Sequence, residues 1–550
     1  TTMEERDEQA QLLGLLPNVA AYNVAKSLSP LSSIALFQAS RAARDLVLQH
    51  APKITYKPGS RLLVANVFKR PSSHESLGMA AQRKGNLSLS LMNDEHVFGQ
   101  DSEAWLAEVF QASLSSALAG DPWVAVTELR LVSHADKKLT IGALAGAYLG
   151  PAFPALQRCT LQSIAVHGSA LFLGMAGCKN LQHLTMDKVQ LDETAAAAIQ
   201  LLAHSTTLAS LNFDAGQQGN SCSLPALPAP MTSLHVQGKH QDWERCITPE
   251  VAARLQHLAL PGPLTPSRFQ WPVLHTLITP SVMLGQADVD QLLAHAPHLH
   301  TVAVKWISMT ESRADAACSW RSLTLDPRHA GLLLAPLAYL PLKGITHLGG
   351  EEFNQSWLVF DGDADGDLSI SELAALAAAA AANLAGSAGG RAMLQAAPLR
   401  LYIHEREDSQ ELACAVAAAL APLANCSDRG LSVGLCCDTS GQLIETLHES
   451  LGSCITQLTL GNVDCDFYVY VDATALPALC SKLPRMDELR MCDVEGLCDV
   501  ACLTTFCLRM PRTIALRVNH LGPEEVESVT GALEAFGHTG TSPEWYADDG

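Results

Sequence analysis

The densest chemistry in the chain lies in twelve residues, DGDADGDLSISE, running from Asp361 to Glu372. Asp361, Asp363 and Asp365 set carboxylates at every second residue, and Gly366 follows where a backbone turns too sharply for a side chain. Asp367 offers its backbone carbonyl, Ser369 a hydroxyl, and Glu372 the closing carboxylate. Five carboxylates in twelve residues repel one another unless a cation neutralises them. Calcium accepts roughly six to eight oxygens at flexible distances, whereas magnesium demands a smaller and stricter octahedron. The expected ligand to this loop is therefore calcium, held by Asp361, Asp363, Asp365, Asp367, Ser369 and Glu372.

Two other groupings have the residue types for chemistry. GLSVG at 430–434 fits the spacing of a nucleophile elbow, but Ser432 falls inside an apparent strand, and such an elbow needs a strained strand-to-helix turn. His295, His298 and His300 cluster before a strand with no carboxylate or thiol to complete a metal set. There is no phosphate-cradling glycine loop and no HExxH, so the chain reads as non-catalytic.

The elements that position the acidic loop follow from apolar spacing. LQHLTMDKVQL at 181–191 has apolar residues at the first, fourth and sixth places, a short strand followed by a turn. The same frame starts at Leu156, Leu181, Leu208, Met231, Leu255, Leu274, Leu299 and Trp320, at intervals of 25, 27, 23, 24, 19, 25 and 21 residues. It returns at 455, 486 and 513, while residues 60–133 are irregular. Asp192 and Asp288 precede short amphipathic stretches as helix starts, and GPEEVESV at 522–529 carries Pro and Glu in a first turn. Residues 349–398 fall outside the frame. Phe353, Trp357 and Phe360 share one helical face before the acidic loop, and an Ala-rich helix runs from Leu373 to the glycines at 386–390.

In each frame the third, fifth and seventh side chains face solvent. The expected partner-binding residues on this strand face are His183, Thr185, Asp187, His235, His257, Lys305, Arg490 and Arg517.

Composition narrows the function further. With 36 Lys plus Arg against 56 Asp plus Glu, a net charge of −20 opposes binding to nucleic acid or an anionic membrane surface. The acidic start, TTMEERDEQA, has no targeting pattern, and the Ala-rich run from Leu373 is too short for a membrane span. The 16 cysteines form no CxxC pair and fit small buried hydrophobes in an intracellular, reducing compartment, cytoplasm or nucleus, with cilium or organelle as further settings.

Three families are resembled. The twelve-residue loop with a helix on each side resembles an EF-hand, standing alone because NVDCDFYVYVDA at 462–473 has Phe467 for Gly and ends in Ala473. The repeated frame, one strand and one short helix each, resembles leucine-rich repeats, although Ile164, Val189, Val282 and Val463 stand where that family has Asn. Residues 16–46 resemble an F-box through Leu16, Pro17, Val24, Leu28, Pro30, Leu36, Ser40, Arg41 and Leu46, with Ala43 and Ser33 departing from its Trp and Leu.

These resemblances imply an α/β leucine-rich-repeat solenoid, curved, with strands lining its concave face. It would have an F-box-like helical cap at 12–50, repeats at 60–348, an EF-hand insertion at 349–398 and further repeats at 399–550. The F-box likeness implies a substrate receptor docked on a cullin–RING ligase adaptor through Leu16, Pro17, Val24, Leu28 and Leu36. The alternative is a structural subunit of a large ciliary or organellar assembly, the F-box-like segment serving only as a cap.

Overall fold

The structure is a computed structural model. It describes residues 53–56, 86–93, 122–133, 139–141, 149–214, 227–237, 246–262, 264–325, 332–349, 358–361, 368–396, 399–403, 409–426, 430–452, 454–461, 469–472, 475–483, 485–492, 494–495, 513–517, 527 and 531. The expected F-box-like segment and its adaptor-binding residues lie outside that set, as does most of the stretch at 522–529. The chain is a mixed α/β protein in two compact units, Thr1–Thr279 and Pro280–Gly550.

In the first unit the strands are β1 (Lys53–Tyr56), β2 (Leu87–Asn93), β3 (Val126–Ser133), β4 (Leu139–Ile141), β5 (Arg158–Gln162), β6 (Ile164–Val166), β7 (His183–Asp187), β8 (Gln190–Leu191), β9 (Ser210–Asp214), β10 (Ser233–Gln237), β11 (His257–Ala259) and the start of β12 (Thr276–Leu284). They pair in parallel in the order β1-β2-β3-β5-β7-β9-β10-β11-β12. Parallel neighbours need a return crossover. The chain supplies it with short helices such as α1 (Ala170–Ala176), α2 (Glu193–Ala198) and α3 (Pro249–Ala252).

The frame places fall in register. Cys159, Leu184, Leu211, Leu234, Leu258 and Leu277, all fourth places, pair one with the next. All six are buried, as are the first places Leu156, Leu181, Leu208, Met231, Leu255 and Leu274. The frame also begins earlier than expected. Leu129 pairs with Cys159 and Leu131 with Leu161, so Val126 opens a unit within the stretch read as irregular.

One backbone contact recurs along the frames from Leu156 to Leu274. The second-place carbonyl accepts two N–H groups from the following repeat. Gln157 O takes Gln182 N–H at 2.8 Å and His183 N–H at 3.0 Å, and Gln182 O takes Ala209 and Ser210 N–H, both at 2.9 Å. Ala209, Thr232 and Gln256 carbonyls do the same. Hydroxyls reinforce it, with Thr207 Oγ1 donating to Leu181 O at 2.9 Å and Thr232 Oγ1 to Ala209 O at 3.1 Å.

The apolar ninth places are accounted for by backbone pairing. Ser163 and Lys188 adopt left-handed turns, φ 55° and 54°. Each turn feeds a second small parallel sheet, β4-β6-β8, and Ser163 N–H donates to Asp187 O at 2.8 Å while Val189 N–H donates to Asp214 O at 3.2 Å. Ile164 and Val189 are thereby free to be fully buried hydrophobes. Asp192 caps α2 as expected, accepting Ala195 N–H at 2.7 Å, and also holds Gly168 N–H and His167 Nδ1 of the preceding repeat at 3.1 Å.

The second unit has β13 (Thr301–Ile307), β14 (Ser322–Leu325), β15 (Leu332–Leu333), β16 (His347–Gly349), β17 (Leu358–Asp361), β18 (Leu399–Tyr402), β19 (Leu431–Cys436), β20 (Ile455–Leu460), β21 (Val469–Tyr470), β22 (Glu488–Cys492), β23 (Val494–Glu495) and β24 (Thr513–Arg517). β13, β14 and β16 pair in parallel, as do β15-β17-β18-β19-β20-β22-β24 and the short pair β21-β23. Its helices include α4 (Gln286–His295), α5 (Leu334–Tyr339), α6 (Ile370–Gly386), α7 (Ala388–Ala396), α8 (Ser409–Ala419), α9 (Gly441–Leu451) and α10 (Ala475–Lys482). Asp288 is not the cap of α4. It sits at the third helical residue and its carboxylate reaches back to Gly285 N–H at 3.2 Å.

α6 buries Leu373, Ala377, Ala380, Ala381 and Leu384 and packs against α5 and α8. The Asn383 amide donates to Leu337 O at 2.7 Å and Leu340 O at 2.6 Å, tying α6 to the end of α5. Among the described residues no single helix is long and apolar enough to cross a membrane.

One inward place breaks the apolar rule. Thr279, sixth in its frame, is 0% exposed, and its hydroxyl finds no hydrogen-bond partner among the described residues. A buried unsatisfied hydroxyl destabilises, and valine has nearly its shape without the polar atom. Thr279→Val is expected to raise stability by about 1 kcal/mol, read as a higher urea midpoint with an unchanged slope.

Candidate functional site

The acidic loop joins a strand to a helix. Leu358–Asp361 is a strand, so the entering helix expected from Phe353, Trp357 and Phe360 does not extend over Phe360. LVFD is rich in strand formers, and its neighbour β18 captures it through an in-register ladder, Leu358 with Leu399 through Asp361 with Tyr402. The stretch at 349–398 therefore contributes β17 to the sheet and sends α6 back along it. Asp363, Asp365 and Asp367 lie outside the described residues.

The far end of the loop is described in full. Ser369 caps α6 with extended backbone, φ −70° and ψ 158°. Its hydroxyl accepts from Glu372 N–H at 3.4 Å, and the Glu372 carboxylate accepts from Ser369 N–H at 2.9 Å and from the hydroxyl at 2.5 Å. This reciprocal pair satisfies two of the donors that a helix start leaves open. The Ser369 hydroxyl, with its N–H second, holds the Glu372 carboxyl below its ordinary range. Among the described residues no three His, Cys, Asp or Glu side chains converge as a metal site, and the histidines at 295, 298 and 300 are no exception.

The expected partner-binding residues fall on one face of their strands. His183, Thr185 and Asp187 alternate with buried Leu184 and Met186 on β7, His235 flanks Leu234 on β10, and His257 precedes Leu258 on β11. Register aligns them in rows, Arg158-His183-Ser210-Ser233-His257-Thr276 and Thr160-Thr185-Asn212-His235. In and beside the rows His257 Nδ1 lies 3.2 Å from Thr276 Oγ1, the His257 and His275 rings are 6.2 Å apart, and the Gln237 amide is 3.1 Å from His235 Nε2. Partial burial, with Arg158 alongside, lowers the His183 pKa. Glu128 and Arg130 join the same rows from β3. They escaped the sequence reading because the Val126 frame was not recognised there.

In the second unit Lys305 is on β13, half-buried. Arg490 is exposed on β22 and its Nε donates to Glu488 Oε1 at 2.6 Å. Arg517 pairs in register with Cys492, a seventh place. That register also sets Ile514, not Leu516, beside Leu489, so the last frame begins two residues before 513.

Ser432 lies within β19, paired with Gln457, away from any strand-to-helix turn. The glycines around it have packing reasons. Gly430 has φ 94° and a Cβ there would run into Thr456, while a Cβ at Gly434 would stand 2.9 Å from Arg400 Cγ.

Ser369→Ala removes one half of the reciprocal cap and is expected to cost about 1 kcal/mol. Because the folded Glu372 pKa is lowered, its contribution is present above its ordinary value of 4.5 and lost as pH falls below it. Amide exchange in the first turn of α6, followed from pH 6 down to about pH 3, is expected to accelerate beyond the intrinsic trend in the parent and not in Ser369→Ala.

No family model matches the chain, and no curated protein matches it.

Proposed function

We propose that this protein is a non-catalytic protein-binding scaffold, a leucine-rich-repeat array whose residues 361–372 hold calcium. The observation that carries the scaffold reading is the pair of in-register polar rows on the sheet of the first unit, backed by buried fourth and sixth places. Side chains fixed on paired strands are ordered before a partner arrives, which lowers the entropy cost of association. The rows mix imidazole, hydroxyl, amide and carboxylate groups, a composition suited to hydrogen-bonded recognition of another protein.

Calcium is supported by the donor set. Every side chain at a ligand place from Asp361 to Glu372 carries oxygen, the preference of a hard cation. Ser369 and Glu372 are already ordered at the helix start, with both oxygen-bearing groups at the loop end of α6. The strand that leads into the loop distinguishes it from a paired-helix EF-hand. A bound ion would neutralise the carboxylates where β17 gives way to α6.

The adaptor-docking form of this reading rests on Leu16, Pro17, Val24, Leu28 and Leu36. It predicts stoichiometric capture of a cullin-ligase adaptor, lost in Leu16→Ala with Pro17→Ala. Co-purification in a fixed-stoichiometry complex without the adaptor would instead assign the chain to a structural assembly.

Calorimetric titration of the metal-free chain is expected to show saturable uptake of calcium that Glu372→Gln weakens at least tenfold. Heat without saturation, or equal affinity in the variant, would remove the calcium reading. For the face, Asp187→Lys with His235→Glu is expected to abolish retention of a co-purifying protein partner while leaving the melting temperature within about 2 °C, as surface substitutions do. Undiminished retention would move the contact elsewhere.

A further inference from the structure

Cys426 and Cys454 each stand shortly before a strand in successive strand–helix units of the second unit. Each closes a helical turn just ahead of a strand. Cys426 N–H donates to Leu423 O at 2.9 Å before β19, and Cys454 N–H donates to Leu451 O at 2.7 Å before β20. Each is 6% exposed. Both thiols lie against one short 3-10 turn, Ala421–Asn425. Cys426 Sγ donates to Pro422 O at 3.5 Å, and Cys454 Sγ contacts Ala424 O. Ala424 stands only two residues before Cys426, so the Cys454 sulfur lies beside the backbone that carries the other thiol. The backbone between the two units is fixed by Leu431 N–H donating to Cys454 O at 2.6 Å.

Cys426 also has a cation and the second thiol within electrostatic reach. Burial holds its thiol above the ordinary range, and the Arg391 guanidinium opposes that by favouring the thiolate. The nearby Cys454 thiol raises the Cys426 pKa further.

We propose that Cys426 and Cys454 form a reversible disulfide that staples these two successive units together. The oxidant is a low-molecular-weight disulfide, such as oxidised glutathione. The Cys426 thiolate attacks one of its sulfurs, forming a mixed disulfide and releasing one thiolate. Cys454, deprotonated in turn, attacks the Cys426 sulfur, forming the internal S–S bond and releasing the second thiolate. The two protein protons end on the two released thiols, so the small disulfide is reduced by two electrons as the pair is oxidised. Closing the bridge requires Cα atoms no more than about 7 Å apart, so the Cys454 sulfur must turn from Ala424 O toward the Cys426 sulfur at the end of the same turn.

The test incubates the full folded chain with excess oxidised glutathione, quenches in acid and maps peptides after alkylation of the remaining thiols. The expected result is a peptide pair joining residues 426 and 454, formed in at least half of the chains and lost on adding dithiothreitol. In Cys454→Ala, Cys426 is expected to stop at the glutathione adduct. The parent map decides the matter even if that variant folds poorly. Both thiols alkylated at equilibrium, a glutathione left on each, or a link that forms only in denaturant would overturn the proposal.

Discussion

The parallel sheet depends on single carbonyls that each hold the start of the next strand. At the second place of the frames opening at Leu156, Leu181, Leu208, Met231 and Leu255 a single oxygen accepts two N–H groups from the next frame, using both of its lone pairs. The same double acceptance continues in the second unit at His300 O with Arg321 and Ser322, and at Arg321 O with Thr346 and His347. Each neutral bond contributes about 1 kcal/mol net, a modest amount alone. Its importance is positional. It sets where one strand begins relative to the last, and register then decides which side chains are buried. Because the contact fixes only the start of the next strand, the segments between strands vary in length without disturbing it. Frame intervals ranging from 19 to 27 residues with unbroken register from Cys159 to Leu277 are the result.

How much of this was legible in the sequence depended on the size of the first frame residue. Where it is Leu, Met or Trp, the three apolar places stand out and the strand follows. In the second unit the fourth places Leu358, Leu399, Val433, Leu458, Leu489 and Ile514 also pair in succession. The frames around Leu399 and Val433 open with Ala396 and Gly430, too small to mark a core position by type alone. The last frame was offset by two residues, and because side chains alternate with a period of two, that error left Arg517 on the same face. Phe353, Trp357 and Phe360 satisfied helical spacing, yet the pairing offered by β18 determined the outcome at 358–361. Local pattern names an element only where no neighbouring ladder competes for it.

The candidate site divides along the same line. The chemistry of the acidic loop is written in residue type and spacing, so its donor set could be read without coordinates. The part Glu372 plays in closing a cap on Ser369 depends on the backbone angles at the start of α6 and became visible only with them. The outward rows were legible residue by residue, since alternation fixes their face. Which of them become neighbours across strands was not, because that requires register. GLSVG shows the converse, a spacing that matches a reactive motif for reasons of packing against Thr456 and Arg400.

The Ala-rich face of α6 has a consequence for heredity. Ala377, Ala380 and Ala381 are each 0% exposed, and α5 and α8 close over the helix that bears them. A protein interior packed to this density accommodates an added methyl group poorly, at roughly 1–3 kcal/mol each. Every alanine codon becomes a valine or a threonine codon by a single transition, the commonest kind of base change. On this Ala-rich helix ordinary point mutation thus readily meets a full interior.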